Sequence, residues 1–106
     1  MKVCIFGNKT STRQLIYGLL DAGVKVHTLI TLNSEKAKKA NISGKDESLT
    51  DFATKNKINV YLPDKYSLRS ENDVAFFKKS NFQLGLATGW QRLIPIEVLN
   101  QFENGV

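Results

Sequence analysis

The sequence predicts an α/β fold, a Rossmann-like doubly wound parallel sheet, on three observations. Val3–Phe6 is an unbroken apolar run, the pattern of a parallel strand buried on both faces. A polar turn, Asn8–Thr12, then leads into a helix whose Leu15/Leu19 and Ile16/Leu20 pairs repeat at i, i+4. Strand and helix patterns go on alternating along the chain with helices of about ten residues, and strands joined this way lie parallel.

In the first helix Thr10 or Ser11 is the expected N-cap, and Gly23 stands where a left-handed residue ends a helix. Val24–Leu32 is the second strand, rich in β-branched residues. Strict alternation places His27, the single histidine, with Lys25 and Leu29 and opposite Val26 and Thr28, as a structural histidine with no catalytic partner. Asn33–Lys45 reads as a long loop with a helical turn at Glu35–Ala40, carrying the cluster Lys36, Lys38, Lys39 and Lys45. Ser48–Asn56 is a helix with Ser48 and Asp51 spaced as a capping box. Ile58–Leu62 is a third strand ended by Pro63. Ser70–Lys79 repeats the capping pattern with Ser70 and Asp73, and turns Val74 and Phe77 inward. Phe82–Thr88 is the fourth strand, and Gly89–Ile94 is a loop. Pro95 is expected at the first position of a last helix, Ile96–Phe102. A parallel strand should follow that helix. Residues 1–106 therefore read as one α/β domain cut after its fourth strand–helix unit, with the outer edge of the fourth strand open.

Composition narrows the chemistry. With 42% hydrophobic and 24% charged residues the chain has ordinary globular content. It contains neither a run of about 20 apolar residues nor a secretory leader pattern, and its one cysteine, Cys4, lies within the first strand. A cytoplasmic setting is the expectation. The net charge of +5 comes from 15 Lys and Arg against 10 Asp and Glu and is spread over both halves, so nucleic-acid binding through the Lys36–Lys45 loop ranks last among the readings.

In such a sheet ligands bind beyond the carboxyl ends of the strands, where strand order reverses. If the first and fourth strands are neighbours, the crevice lies between Gly7–Thr12 and Thr88–Ile94. Gly7 has no companion glycines and the second strand ends without an acid, which excludes a dinucleotide fingerprint; no P-loop string occurs either. One Cys and one His, far apart, supply neither a metal cluster nor a Cys–His nucleophile pair. Two candidates remain. Asn8, Lys9, Thr10, Ser11 and Thr12 offer an amide, an ammonium and three hydroxyls beside a helix N-terminus, suited to a phosphate or sugar and equally to an ordinary cap. Trp90 and Arg92 can flank a flat ring, or Trp90 packs against the last helix while Arg92 meets water.

Four segments together resemble the N-terminal part of the folate-dependent formyltransferases, the family of the methionyl-tRNA, glycinamide ribonucleotide and sugar N-formyltransferases. MKVCIFGN is similar to the opening strand and glycine turn of that family. SLTDFATKNKINVYLPDKY resembles its helix, short strand and x-V-x-x-P segment. FQLGLATGWQRLIPIEVLN resembles its fourth strand, loop and following I-L-P-x-E-V-L helix, and NGV the approach to its fifth strand. The resemblance implies transfer of a formyl group from 10-formyltetrahydrofolate to an amine, with an Asn, a His and an Asp managing the oxyanion and the protons. None of the three has a counterpart here, and His27 does not match the family's histidine, so this stretch alone is expected to be inactive. Carried over by position, Trp90, Arg92, Leu93 and Ile94 match the loop that reads the folate's flat head, largely through backbone groups. Gly7, Asn8, Lys9, Thr10 and Ser11 match the loop facing the amine. Lys9 and Thr10 replace the glycine-rich turn of the ribonucleotide enzymes, and the G-T-P of the tRNA enzymes is absent. A small-molecule amine, a sugar nucleotide among the candidates, is therefore as consistent an acceptor as a tRNA. The alternative is a non-enzymatic domain on the same fold, binding a small ligand or an anion.

Overall fold

The computed structural model describes residues 1–40, 42 and 44–106. Strands β1 (Val3–Phe6), β2 (Val26–Ile30), β3 (Asn59–Tyr61) and β4 (Leu84–Ala87) form one sheet in the order β3-β2-β1-β4, with every pair parallel. Helices α1 (Thr10–Asp21), α2 (Ser34–Lys39), α3 (Leu49–Lys55), α4 (Glu71–Ser80) and α5 (Ile96–Leu99) connect them. β1 and β4 are neighbours, as the crevice argument requires.

All four β1 residues are buried because helices cover both faces of the sheet. Val3 and Ile5 point to a core shared with Ile16 of α1 and with Leu49, Phe52 and Ala53 of α3. Cys4 and Phe6 point to the other, built with Phe77 of α4, Phe82, Val98 of α5 and Phe102. The fold is thus wound on both sides. Cys4 is fully buried, which raises its thiol pKa well above the ordinary value and keeps it unreactive. No helix among the described residues is long and apolar enough to cross a membrane.

Several local expectations are corrected. The β1–β2 register slips between Val3, opposite Val26, and Cys4, opposite Thr28. This irregularity sends Val26 and Leu29, three residues apart, into the same core and leaves His27 outside. The helical turn after β2 is α2, capped by the Asn33 side chain on the Lys36 amide at 2.8 Å, while Asn41 and Ser43 of that loop lie outside the described residues. Ser48 does not cap α3 with its side chain; its amide and hydroxyl both donate to Asp46 instead. Ser70 does cap α4, accepting from the Asp73 amide at 3.0 Å. Asp73, however, turns its carboxylate inward rather than back to the cap. Pro95 precedes α5 in extended conformation instead of opening it, and α5 is a single turn. Gly23 has φ +81°, as its terminating position demands.

The outer edge of β4 is also covered at its start. The Glu103, Asn104 and Gly85 amides donate to the Phe82, Gln83 and Gly105 carbonyls, so the residues after α5 run along that edge. Gly85 allows this approach, since a Cβ there would lie 2.8 Å from the Val106 side chain and 2.9 Å from the Phe102 ring.

Phe77 packs within 6.3 Å, centroid to centroid, of Phe6, Tyr61, Phe76, Phe82 and Phe102. It is the hub of the second core. Phe77→Ala is expected to cost about 3–5 kcal/mol in denaturant unfolding, the range for emptying a buried aromatic site.

Candidate functional site at the carboxyl ends of the strands

The turn after β1 is fixed by its neighbours on both sides. The Gly7 amide donates to the Ile30 carbonyl at 3.0 Å, and the Thr88 amide to the Phe6 carbonyl at 2.9 Å, extending the sheet by a step in each direction. Only glycine fits at position 7, because a Cβ would collide with the Thr12 side chain and the Thr88 carbonyl. Thr12 closes the contact: its hydroxyl donates to the Thr88 carbonyl at 2.8 Å and accepts from the Lys9 amide at 3.2 Å. Lys9 is the N-cap of α1, in place of the Thr10 or Ser11 expected, and Thr12, at the third helical position, accepts back from its amide.

Asn8 is completely buried. Its Oδ1 accepts from the Leu32 amide at 2.8 Å and the Thr31 hydroxyl at 3.1 Å, and its Nδ2 donates to the Gly89 carbonyl at 3.3 Å. Its backbone carbonyl accepts from the Asp46 amide at 2.8 Å. One side chain thus joins the ends of β1, β2 and β4, and its amide is engaged inside the protein. Lys9 lies half-buried, with Thr10 and Ser11 exposed on the rim.

In the loop after β4, Gly89 turns with φ +70°. Trp90 then packs edge-on against Phe6 at 5.8 Å and Tyr66 at 4.8 Å, against the core that also takes in Val98 of α5. Its Nε1 is buried without a hydrogen-bond partner among the described residues. The Tyr66 hydroxyl accepts from the Gln91 amide at 2.5 Å and holds this loop to the turn after β3. Arg92 is exposed, Leu93 is 89% exposed and Ile94 is half-buried. The two predicted loops therefore meet at their bases, through Thr12–Thr88 and Asn8–Gly89, while Arg92 and Leu93 project at the rim.

Arg92 borders two clefts. One, of about 330 Å³, is also lined by Lys36, Lys39, Ala40, Asp64, Lys65 and Tyr66. The other, of about 600 Å³, is lined by Ser67, Arg69, Gln91 and Leu93 as well. The basic cluster seen in the sequence is divided here. Lys36 and Lys39 face the smaller cleft, whereas Lys45 turns toward Asp46 and Thr31, where burial lowers its pKa. Sequence reading missed Lys65, which no motif marks. It also missed the part played by Asp73, whose carboxylate is buried and accepts from the Tyr61 hydroxyl at 2.5 Å and the Asp64 and Lys65 amides at 2.9 and 3.2 Å. Tyr61 is accordingly held neutral, its pKa raised by burial and by this carboxylate.

Arg13 of α1 anchors the segment before α3, donating from Nε and Nη2 to the two Asp46 carboxylate oxygens at 2.9 and 3.0 Å. These hydrogen bonds, helped by those from the Ser48 hydroxyl and amide, bring the Asp46 pKa from 3.8 to about 2, against the opposing effect of burial. A lowered carboxylate pKa stabilises the fold at pH values above the ordinary one, and that contribution disappears as pH falls through the lowered value. Both partners remain partly solvated, so the pair is worth about 1–2 kcal/mol. Unfolding measured across pH should show wild type ahead of Asp46→Asn by that margin at pH 7. The two should converge between pH 4 and 2.

Comparison with protein-family models and with curated proteins yields no match, so the functional reading rests on this geometry and on the sequence resemblance.

Proposed function

We propose that this chain provides the scaffold and donor-side loop of a folate-dependent formyltransferase. The observation that carries the reading is the junction of the first and fourth strand turns, with Thr12 Oγ1 2.8 Å from the Thr88 carbonyl at the carboxyl edge of adjacent strands. The resemblance assigns these same turns to the amine and to the folate.

The residues after Trp90 suit a reduced folate in two respects. Leu93 offers an exposed apolar side chain to a flat ring, and Arg92 offers a guanidinium to carboxylates. Trp90 supports this loop from below, wedged between Phe6 and Tyr66. When bound, 10-formyltetrahydrofolate supplies the activated formyl group. Lys9, Thr10 and Ser11 line the rim where an amine acceptor would sit, and Asn8 holds that rim to the folate loop. No residue of this chain takes the catalytic Asn, His or Asp role, so its part is to bind and orient.

A second reading, a non-enzymatic domain with Asn8–Thr12 holding an anion, draws on the exposed Thr10 and Ser11 hydroxyls at the start of α1. Trp90, the only tryptophan, reports on the first. Titration with 5-formyltetrahydrofolate should change its fluorescence saturably, and Arg92→Ala and Leu93→Asp should each weaken binding by about tenfold, as for loss of one good contact. Curves identical to wild type for both variants would remove the loop from the site.

A further inference from the structure

We infer that the cleft between α2 and the turns after β3 and β4 is a binding site for an oligoanion, a ligand with two or more adjacent phosphates or carboxylates. It goes beyond the formyltransferase reading, shares only Arg92 with it, and does not require formyl transfer.

Four cations, Lys36, Lys39, Lys65 and Arg92, border this cleft of about 330 Å³. Its one carboxylate, Asp64, already accepts from the Ser70 hydroxyl at 3.3 Å and the Asn72 amide at 3.1 Å at the start of α4. Lys36 is drawn to the rim by a 3.0 Å hydrogen bond to the Pro63 carbonyl. Lys39 has only a 3.9 Å contact with Glu35, both side chains being about four-fifths exposed, which contributes little. Among the described residues neither Lys65 nor Arg92 is in an ion pair.

Position distinguishes Lys65 and Arg92 from the other basic surface. Helices in a parallel α/β sheet run opposite to the strands, so their positive N-terminal ends gather at the carboxyl edge. At the opposite edge, Lys2, Lys25 and Lys57 beside His27 sit near negative helix ends, which accounts for them without a ligand. In the 330 Å³ cleft, Lys36 and Lys39 lie in the last turn of α2, whose negative end offsets part of their charge, whereas Lys65 and Arg92 stand on turns with no such compensation. The four cations repel one another, and an anion between them removes that repulsion. The cleft is also preformed: Asp73 fixes the Asp64 and Lys65 backbone from beneath, and the Tyr66 hydroxyl fixes Gln91. Two or more negative groups are required to satisfy cations contributed by three separate segments.

Calorimetric titration of the full chain with inorganic tripolyphosphate and, separately, with tri-glutamate distinguishes the phosphate from the carboxylate source. At least one should bind with 1:1 stoichiometry, and the affinity should fall as salt shortens the Debye length to about 8 Å. Lys36→Glu/Lys39→Glu should weaken binding at least about tenfold, while Lys25→Glu/Lys57→Glu, equal in charge change at the far edge, should alter it less than about twofold. Arg92→Ala, a smaller change, should weaken it as well, and circular dichroism confirms that each variant is folded. Equal losses in both double variants, several ions bound per chain, or no saturation with either probe would overturn the proposal. Saturation by tripolyphosphate without folate binding would leave this site standing and remove the formyl-transfer reading; the reverse result would do the opposite.

Discussion

The end of β1 has to change from sheet to helix inside the protein, where every peptide group needs a partner. The Asn8 carboxamide meets that constraint. It accepts from the chain leaving β2 and donates to the chain leaving β4, so the three adjacent strand ends are tied by one side chain with no exposed surface. A buried amide bonded through both its oxygen and its nitrogen stabilises its surroundings strongly, since any displacement leaves unpaired donors and acceptors. Gly7 and Thr12 complete the junction by allowing the β4 turn to come into backbone contact. The shape of the carboxyl edge follows: bases of loops fixed, tips free.

Asp73 solves the same problem on the other side of the sheet. Its buried carboxylate gathers two backbone amides and a phenol, which sets the turn after β3 against the loop after β4 through Tyr66 and Trp90. Two buried polar side chains therefore position the half-buried Lys9 and the exposed Lys65, Arg92 and Leu93. The functional proposals draw on these exposed groups, and the buried pair explains why they are held in place.

The alternation of strands and helices and the burial of β1 could be read from the sequence, because apolar runs and helix stops are local signals; the adjacency of β1 and β4 entered only as a condition, which the sheet order meets. The register slip beside His27 could not, since it belongs to the pairing of two strands rather than to either alone. Asn8 read as part of a polar turn facing a ligand; its burial depends on Thr31 and Leu32, more than twenty residues away. Ser70 and Asp73 read as a capping box, and the hydroxyl half of that expectation holds. The carboxylate half was overridden by two amides and a phenol that the fold brings closer. Arg92 stood out in the sequence, but its grouping with Lys36, Lys39 and Lys65 depends on three segments meeting in space.

Native-state hydrogen exchange at the Leu32 amide, which donates to Asn8 Oδ1, tests the junction most directly. If Asn8 locks the strand ends together, this amide exchanges only by global unfolding, as slowly as the Ile5 amide in the middle of β1, and Asn8→Ala releases it to fast local exchange. Exchange at Leu32 far faster than at Ile5 in the wild-type protein, and unaltered by Asn8→Ala, would contradict the account.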